Sequence, residues 1–319
     1  MEIIEQLEQI SKPFENAVIT IGNFDGVHLG HRALFQQVVE KAKALGGRSI
    51  AMTFEPHPIR VLKKNGQPPL ITLYEQKVEL IRKTGIEVLI CVPFTPEFAA
   101  MSARAFVEDL LVERIGMKAI VVGEDYTFGA NREGNLGLLK KYAGRLGFEV
   151  VVVYPVKVSR EIAGRISSTR IRQLINAGRV EDAGVLLGRY YQIRGRVVSG
   201  RSRGAKVLGF PTANINLHDE LCPKEGIYAV TVEHEGREFP GVANIGYSPT
   251  FGDQLFTVEV YILDFNEDIY DQKIRVNFVK KLRDEIRFSD INQLKQAIAG
   301  DVARAREILA HVQNPGAPG

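Results

Sequence analysis

The fold of the N-terminal half is decided by Ala17-Val-Ile-Thr-Ile-Gly-Asn-Phe-Asp-Gly-Val-His-Leu-Gly-His31. Its first five residues form a short run that is mostly apolar and β-branched, which is typical of a strand buried in a sheet. A glycine-rich loop follows, and the next residues carry apolar side chains at helical spacing. We expect a ligand to bind at this loop, because parallel sheets bind ligands beyond the carboxyl ends of their strands.

The same alternation of strands and helices continues to about residue 158. Further apolar strands are predicted at Ser49–Phe54, Val88–Val92, Ala119–Val122 and Glu149–Val153. Helical patterns separate them: a stripe from Leu34 to Leu45, a helix from a capping box at Thr72–Glu75 to Lys83, and the segments Ser102–Ile115 and Leu136–Leu146. Strands that are apolar throughout imply a parallel sheet covered by helices on both faces.

The pattern changes near Gly184–Arg189, after a predicted helix around Thr169–Ala177. Strand patterns then follow one another without helices between them: Tyr191–Val198, Ala213–Leu217, Ile227–His234, Phe239–Ile245, Phe256–Leu263 and Lys273–Val279. Glu235-Gly236 predicts a hairpin turn. Short strands in series predict an antiparallel barrel or sandwich.

A final helix is predicted to run through Leu309, with Ser289 or Asp290 as its cap. We therefore predict an α/β domain over residues 1–184, a β domain over 185–311 and a disordered tail at 312–319. The length of 319 residues suits two domains.

Composition limits the classes of protein that this chain can belong to. It is 45% hydrophobic and 25% charged with a net charge of +3, which is a globular profile. The small net charge disfavours duplex nucleic acid as a partner. No apolar stretch reaches the ~18 residues of a membrane span, and two distant cysteines predict neither a disulfide framework nor a cysteine-based zinc site. We expect a cytoplasmic protein without a membrane partner.

The glycine-rich loop carries His28 and His31 at the predicted start of a helix. A helix N-terminus presents unpaired N–H groups and a partial positive charge, which suits phosphate. Gly30 leaves room for a nucleotide beside the backbone, and two imidazoles can donate hydrogen bonds to phosphate oxygens. A pair of capped or surface histidines is the alternative. The coincidence of strand, loop, histidines and helix favours a phosphate site.

A second candidate phosphate-binding element is Arg165-Ile-Ser-Ser-Thr-Arg-Ile-Arg172. Ser168 and Thr169 are predicted to cap the helix that begins there. Arg165 and Arg172 carry forked cationic donors suited to phosphate, although an ordinary capped helix with solvated arginines explains the stretch equally well. The absence of a Walker P-loop and of the dinucleotide glycine fingerprint argues against those two classes of phosphate site.

His28-x-Gly-His31 and Ile166-Ser-Ser-Thr-x-x-Arg172 resemble the paired signatures of the nucleotidylyltransferase superfamily. Thr53-Phe-Glu-Pro-His-Pro58 and Gly123-Glu-Asp-Tyr-Thr-Phe-Gly129 are similar to the FMN-adenylyltransferase module of bacterial bifunctional FAD synthetases. The resemblance implies a Rossmann-like domain in which the phosphate of FMN attacks the α-phosphorus of ATP and expels pyrophosphate.

The same resemblance implies roles for individual residues of this half. His28 and His31 would hold the phosphates of ATP and stabilise the pentavalent state. The residues that would bind ATP or its phosphates, or help orient FMN, are Asn23, Asp125, Arg165, Ser168, Thr169 and Arg172. Many relatives carry Asn where Asp125 stands, and His57 is also explained as a turn residue between two prolines.

The C-terminal half begins with a basic, glycine-rich stretch over residues 194–212, which either folds over phosphates or is a solvated loop. Thr212 and Asn214 are two residues apart in a predicted strand, so their side chains point to the same face. Their oxygens suit Mg²⁺, which usually keeps waters and substrate phosphates as its other ligands. Two surface polar residues at the start of a strand are the alternative.

Glu259 lies between Val258 and Val260 in a predicted strand, so its side chain points to the face opposite those valines. On that face it either meets solvent, which is the commoner case, or lines a pocket. In a pocket it can take a proton from a hydroxyl that attacks a γ-phosphate.

Six short motifs follow one another in this half: Pro211-Thr-Ala-Asn214, Gly226-Ile-Tyr-Ala229, Asn244-Ile-Gly246, Pro249-Thr-Phe251, Val258-Glu-Val260 and Leu282-Arg283. In this order they resemble riboflavin kinases, a family of small β-barrels without a Walker motif. The resemblance implies that Thr212 and Asn214 bind Mg²⁺ and ATP. It also implies that Glu259 is the general base on the ribityl 5′-hydroxyl and that Arg283 helps to bind the flavin. Tyr270-Asp271 departs from the Tyr-Gly that relatives usually have.

Together, the two resemblances imply an enzyme that uses riboflavin, FMN, ATP and Mg²⁺ to make FAD, with self-association left open. One alternative is a nucleotidylyltransferase for pantetheine phosphate or a nicotinate nucleotide, which the kinase-like second half disfavours. A non-enzymatic sensor of flavin or nucleic acid is the other. The presence of both Glu259 and the histidine pair argues against a flavin sensor.

Overall fold

The structure is a computed structural model that describes residues 1–62, 68–156, 165–198, 210–217, 219–249, 254–286 and 288–311. These residues form two compact units, one comprising 1–156 with 165–166 and the other beginning at 167. Most of the basic stretch, residues 199–209, lies outside the described residues, as do Thr250 and Phe251 of one kinase-like motif and the predicted tail at 312–319. The predicted domain division at 184/185 stays a prediction.

The first unit is built around a parallel sheet. The strands of this unit are β1 (Glu2–Ile4), β2 (Ala17–Ile21), β3 (Ser49–Glu55), β4 (Val88–Pro93), β5 (Met117–Gly123), β6 (Thr127–Phe128), β7 (Gly134–Asn135) and β8 (Glu149–Val153). Six of them pair in parallel in the order β1-β4-β3-β2-β5-β8, while β6 and β7 form a separate hairpin. The predicted parallel sheet is confirmed.

Helices cover both faces of this sheet. They are α1 (Leu29–Leu45), α2 (Pro58–Leu62), α3 (Tyr74–Arg82), α4 (Pro96–Ala99), α5 (Ala103–Ala105) with its continuation Phe106–Arg114, and α6 (Leu136–Leu146). Neighbouring strand residues enter different cores, because successive side chains of a strand point to opposite faces. Val18 packs with Phe35 and Ile81 in one core, and Ile19 packs with Phe106 and Leu139 in the other.

One sequence-based expectation fails in this unit. It is the capping box at Thr72, since the helix α3 begins only at Tyr74 and no side chain caps it. The hydroxyl of Thr72 instead donates to Asp25 at 3.3 Å and accepts from the backbone N–H of Gly26 at 3.0 Å. The sequence pattern also did not reveal the short strand β1, which pairs with β4.

The second unit contains a closed antiparallel barrel. Two helices, α7 (Ser168–Asn176) and α8 (Val180–Leu187), precede it. Its strands are β9 (Tyr191–Val198), β10 (Ala213–Asn216), β11 (Gly226–His234), β12 (Arg237–Pro249), β13 (Gln254–Ile262) and β14 (Lys273–Arg283). They close in the order β10-β13-β12-β11-β14-β9. The predicted barrel is confirmed, whereas the pattern did not reveal α8.

Two local features of the second unit agree with the sequence pattern. Glu235 and Gly236 both have positive φ, 48° and 76°, at the tight turn between β11 and β12. The last helix, α9 (Ile291–Ala310), is capped by Asp290, whose carboxylate accepts from the backbone N–H groups of Asn292 and Gln293. Ala305 of this helix packs against Ile227, Ala229, Val242 and Leu282 of the barrel.

Among the residues that the structure describes, no helix has the length and apolar character needed to cross a membrane.

Candidate active sites

The loop between β2 and α1 is held in place by a buried carboxylate. Asp25, which is 2% exposed, accepts hydrogen bonds from the backbone N–H groups of Ile71 and Thr72, each at 3.1 Å. Lys77 is equally buried nearby. Burial lowers the pKa of Lys77, and the charges of Asp25 and Glu55 oppose that shift. These contacts tie the loop to the segment that leads into α3.

The two histidines of this loop lie against each other at the start of α1. His28 is the N-cap of the helix, and its Nδ1 accepts a hydrogen bond from the backbone N–H of His31 at 3.2 Å. The imidazole rings are stacked with their centroids 3.6 Å apart. A Cβ on Gly30 would approach the His28 ring to 3.2 Å, so the glycine gives this ring its space. The structure thus brings His28 and His31 together at a helix N-terminus.

An aromatic cavity of about 680 Å³ opens at the carboxyl ends of β2 and β3. The aromatic side chains that line it are Phe54, Phe94, Phe98, Phe106, Tyr126 and Phe128. Neighbouring rings are in contact, with Phe54 and Phe94 centroids 5.5 Å apart and Tyr126 and Phe128 centroids 5.6 Å apart. Sequence reasoning missed this cavity, because its rings come from segments that no local spacing relates.

Polar groups also reach this cavity. Asn23 and Asp125 both line it, and Arg165 forms an ion pair with Asp125 through Nη2 and Oδ1 at 2.7 Å. The hydroxyl of Tyr126 is buried and has no hydrogen-bond partner among the described residues, and burial raises its pKa above the ordinary value. Three of the predicted site residues are therefore found together here. His57 instead accepts from the backbone N–H of Ile59 at 3.2 Å, as expected of a turn residue.

The second predicted phosphate-binding element opens α7. Ser168 and Thr169 are the first two residues of this helix, and the N-cap is Ser167, whose hydroxyl accepts from the backbone N–H of Arg170 at 3.2 Å. The prediction of Ser168 or Thr169 as the cap is wrong, because the backbone is extended at Ser167 and already helical at Ser168. This helix, with Arg172, groups with the second unit. Its joint use with the histidines in one ATP site stays a prediction.

Three polar side chains form a row across adjacent strands of the barrel. Glu259 on β13 is directly opposite Asn214 on β10 and Asn244 on β12. Directly opposed residues project to the same face of a sheet. The flanking Val258 and Val260 are buried on the other face, and Glu259 itself is half-buried. The alternation predicted for Glu259 is confirmed, and the register brings it beside Asn214.

The environment of Glu259 makes its carboxyl group a stronger base. Burial raises the pKa of Glu259, and the nearby charge of Glu285 raises it further. Glu285 lies over the strand β12, since a Cβ on Gly246 would come within 2.7 Å of its carboxylate. Raised carboxyl pKa values next to a second charged group are typical of functional sites. Glu285 was not identified from the sequence, where it is one charge among several after β14.

Thr212 stands just before β10 and lines a second cavity, of about 350 Å³, with Ala213, Val260 and Tyr270 among its other walls. The described residues contain no cluster of three or more His, Cys, Asp or Glu side chains that could hold a metal ion. Asn244 Oδ1, beside Glu259, is buried without a hydrogen-bond partner among the described residues. Neutral amide and hydroxyl oxygens of this kind are suitable ligands for Mg²⁺.

Arg283 belongs to the same row. It is opposite Ile227, directly beside a register shift between β11 and β14, and Ile227 is in turn opposite Asn244. Its guanidinium forms an ion pair with Asp301 of α9, with Nη2 and Oδ2 2.7 Å apart. The barrel therefore carries four of the proposed kinase residues, and three of them, Asn214, Glu259 and Arg283, lie in one cross-strand row.

The two halves match two different families. Residues 10–170 match the family model described as FAD synthetase, and residues 187–309 match the one described as Riboflavin kinase. The Escherichia coli (strain K12) protein named "Bifunctional riboflavin kinase/FMN adenylyltransferase" is 40% identical over 311 residues, which are 97% of this chain and 98% of that protein. A Pseudomonas fluorescens protein of the same name is 38% identical, with coverages of 97% and 98%.

A solved structure is similar over nearly the whole chain. It covers 95% of this chain and 98% of its own, at 33% sequence identity and a TM-score of 0.86. It is the crystal structure of a protein named "Macrolide-efflux Protein" from Streptococcus pneumoniae. The match shows that the two chains share a fold.

Proposed function

The chain belongs to the bifunctional riboflavin kinase/FMN adenylyltransferase family, and from this premise we propose which residues perform its two reactions. The kinase half transfers a phosphoryl group from ATP to riboflavin. The adenylyltransferase half transfers an adenylyl group from ATP to FMN and releases pyrophosphate, so the chain makes FAD. Two observations carry the assignment: in the first unit His28, the N-cap of α1, stacks on His31, and in the second unit the carboxylate of Glu259 stands between two amides on the barrel.

His28 would act as a hydrogen-bond donor to ATP through Nε2. Its Nδ1 accepts from the backbone N–H of His31, so a neutral His28 carries its proton on Nε2. As an FMN phosphate oxygen attacks the α-phosphorus, negative charge develops on the α-phosphate and on the departing pyrophosphate. His28 and the stacked His31 would stabilise that charge. No covalent enzyme intermediate is needed, and Ser168, Thr169 and Arg172 would bind the triphosphate.

The aromatic cavity of the first unit would take the flavin ring of FMN. Its volume of about 680 Å³ suits a small-molecule ligand, and flat rings stack on aromatic side chains. The hydroxyl of Tyr126, which has no partner within the described ranges, would gain a hydrogen bond from a polar edge of the ring. Asn23 and Asp125 would orient the ligand at the rim, with Arg165 beside them.

Glu259 would be the general base of the kinase reaction. It would take the proton of the ribityl 5′-hydroxyl while the hydroxyl oxygen attacks the γ-phosphorus and ADP leaves. Burial raises the pKa of Glu259, which brings its proton affinity closer to that of an efficient base near neutral pH. Arg283, in the same row, would contact the flavin.

Mg²⁺ fits the oxygens beside this base. Asn244, whose Oδ1 has no partner in the described part of the chain, and Asn214 flank Glu259, and Thr212 precedes Asn214 by two residues. Thr212 and Asn214 would hold the ion, which neutralises negative charge on the ATP phosphates when bound.

The cytoplasmic location stays a proposal, and the two free cysteines are in keeping with it.

Two matched variants test the assignment. Riboflavin and Mg-ATP are supplied, and FMN and FAD are separated and measured over time. We expect Glu259→Gln to slow FMN formation by about 10²–10⁴-fold while FMN supplied directly is still converted to FAD. We expect His28→Ala to slow the conversion of FMN to FAD while FMN is still formed from riboflavin. A folded variant that lost both activities would show that the two sites are not separate.

A further inference from the structure

The arginine assigned to the flavin is held by a buried carboxylate from another element. Asp301, in the middle of α9, is 8% exposed. Its Oδ2 lies 2.7 Å from Nη2 of Arg283, and its Oδ1 lies 3.0 Å from Nε. Two parallel hydrogen bonds of this kind fix the plane of the guanidinium as well as its position.

Two further contacts restrict the same side chain. Nη1 of Arg283 donates to the backbone carbonyl of Asp284 at 3.1 Å, and the guanidinium carbon lies 5.8 Å from the ring centre of Phe288. An arginine has five N–H donors. Asp301 and the Asp284 carbonyl occupy three of them, which leaves one N–H on Nη1 and one on Nη2 for a ligand.

Anchoring of α9 does not account for Asp301. The helix already has apolar contacts with the barrel through Ala305. It has a second arginine–aspartate pair, in which Arg306 contacts Asp264 through two 2.7 Å hydrogen bonds. A buried ion pair is also a poor stabiliser, because desolvation of both charges offsets their attraction. The difference between the pairs is location, since only Arg283 lies in the row of Glu259 and Asn244.

We propose that Asp301 is a positioning residue of the kinase site, which holds the Arg283 guanidinium in the orientation that binds the planar, carbonyl-bearing ring of riboflavin. The inference rests on the proposed function of Arg283. Without the carboxylate, the guanidinium can rotate away from the row and must be ordered again when riboflavin binds. The loss therefore falls on riboflavin affinity rather than on the phosphoryl-transfer step.

The test compares Asp301→Asn with Asp264→Asn in the full-length enzyme. Each substitution removes the carboxylate from one of the two arginine–aspartate ion pairs between α9 and the rest of the barrel unit. We expect Asp301→Asn to raise the KM for riboflavin about tenfold, with a much smaller change in kcat and in the KM for ATP. Asp264→Asn should leave all three unchanged, and neither variant should alter FMN adenylylation.

Three further results decide the proposal. Arg283→Lys keeps the positive charge but loses the planar pair of N–H donors, so it should also raise the KM for riboflavin. In the double variant with Asp301→Asn, this KM should be no higher than in the more affected single variant. If Asp301→Asn fails to fold, Asp301→Glu should show the raised KM, because its longer side chain displaces the guanidinium. Equal KM values for riboflavin in the folded Asp301 and Asp264 variants would overturn the role proposed for Asp301 but leave the proposed function standing. Failure of the wild-type enzyme to phosphorylate riboflavin would instead overturn the proposed function beneath it.

Discussion

Among single residues, Glu259, the proposed base, shows how strand register and burial set the environment of one carboxylate. In the sequence it is one glutamate between two valines, which is most often a solvent-facing position. Burial and the neighbouring Glu285 both raise its pKa, and the register sets it between Asn214 and Asn244. The same shift has a cost in stability. A carboxyl whose pKa is raised by folding stabilises the fold only at low pH, and this contribution is lost as the pH rises through the folded-state pKa.

The first prediction concerns the pH dependence of the kinase. Glu285→Gln removes the negative charge that helps to raise the pKa of Glu259. The pKa of Glu259 should fall, so the acid limb of kcat/KM for riboflavin should move to lower pH. The acid limb should still lie above the pH expected for an ordinary glutamate, because burial is the larger cause of the raised pKa. Glu307→Gln, on an exposed position of α9, is the control, and an identical shift in both variants would refute the assignment.

The second prediction separates activity from stability at Gly30. A Cβ at this position would press on the His28 ring at 3.2 Å, so Gly30→Ala should lower FMN adenylylation by at least about tenfold. Alanine favours a helix over glycine by about 1 kcal/mol, so the thermal midpoint should not fall. Gly144→Ala in α6, where nothing lies within 4 Å, should raise stability and leave adenylylation unchanged. A fully active Gly30→Ala enzyme would contradict the proposed role of His28.

At the scale of elements, tertiary contacts decide the details that local patterns left open. Thr72 has the sequence of a helix cap, yet its hydroxyl contacts Asp25 and Gly26 of the histidine loop. Strand β1 has no distinctive pattern, because its three residues are too few to show alternation. Helix α8 was not distinguished either, because it directly follows the short turn after α7. The elements with clear periodicity, such as β2, β8, β9 and α6, have the predicted bounds.

The third prediction tests the cap of α9. The sequence allowed Ser289 or Asp290, and the structure shows that Asp290 accepts from two backbone N–H groups, at 2.8 and 3.0 Å. Asp290→Ala should lower the free energy of unfolding of the second unit by about 1 kcal/mol. Ser289→Ala should have little effect, since among the described residues the Ser289 hydroxyl donates only to the side chain of Gln293. Thermal unfolding of both variants measures the difference, and equal losses would contradict the cap.

At the scale of the whole molecule, each family match coincides with one type of sheet. The FAD synthetase match covers five of the six strands of the parallel sheet, and the riboflavin kinase match covers the barrel and nearly all of α9. The histidine pair and the aromatic cavity belong to the first unit, and Glu259, Asn214 and Arg283 belong to the barrel, whereas the helix α7 proposed for the triphosphate groups with the second unit. FMN, the product of one site and the substrate of the other, is the chemical link between them.

The fourth prediction follows from this separation. A mixture of the Glu259→Gln and His28→Ala enzymes should convert riboflavin to FAD, because FMN released by one protein can be used by the other. FAD should appear after a lag that shortens as enzyme concentration rises. Each variant alone should make little FAD from riboflavin. If the mixture stayed inactive while both variants kept their remaining activity, FMN would have to pass between sites without release.

The sequence by itself determined the two sheet types, most helices and strands, the histidine pair and the identity of the candidate base. These features depend on residues within a few positions of one another, through hydrophobic periodicity, turn-forming residues and short motifs. Only the tertiary structure decided which distant side chains meet. It assembled six aromatic rings into one cavity, placed Glu259 between Asn214 and Asn244, and set Asp301 against Arg283. Strand register and helix docking control those contacts, and they are set by the packing of the whole core rather than by any local spacing.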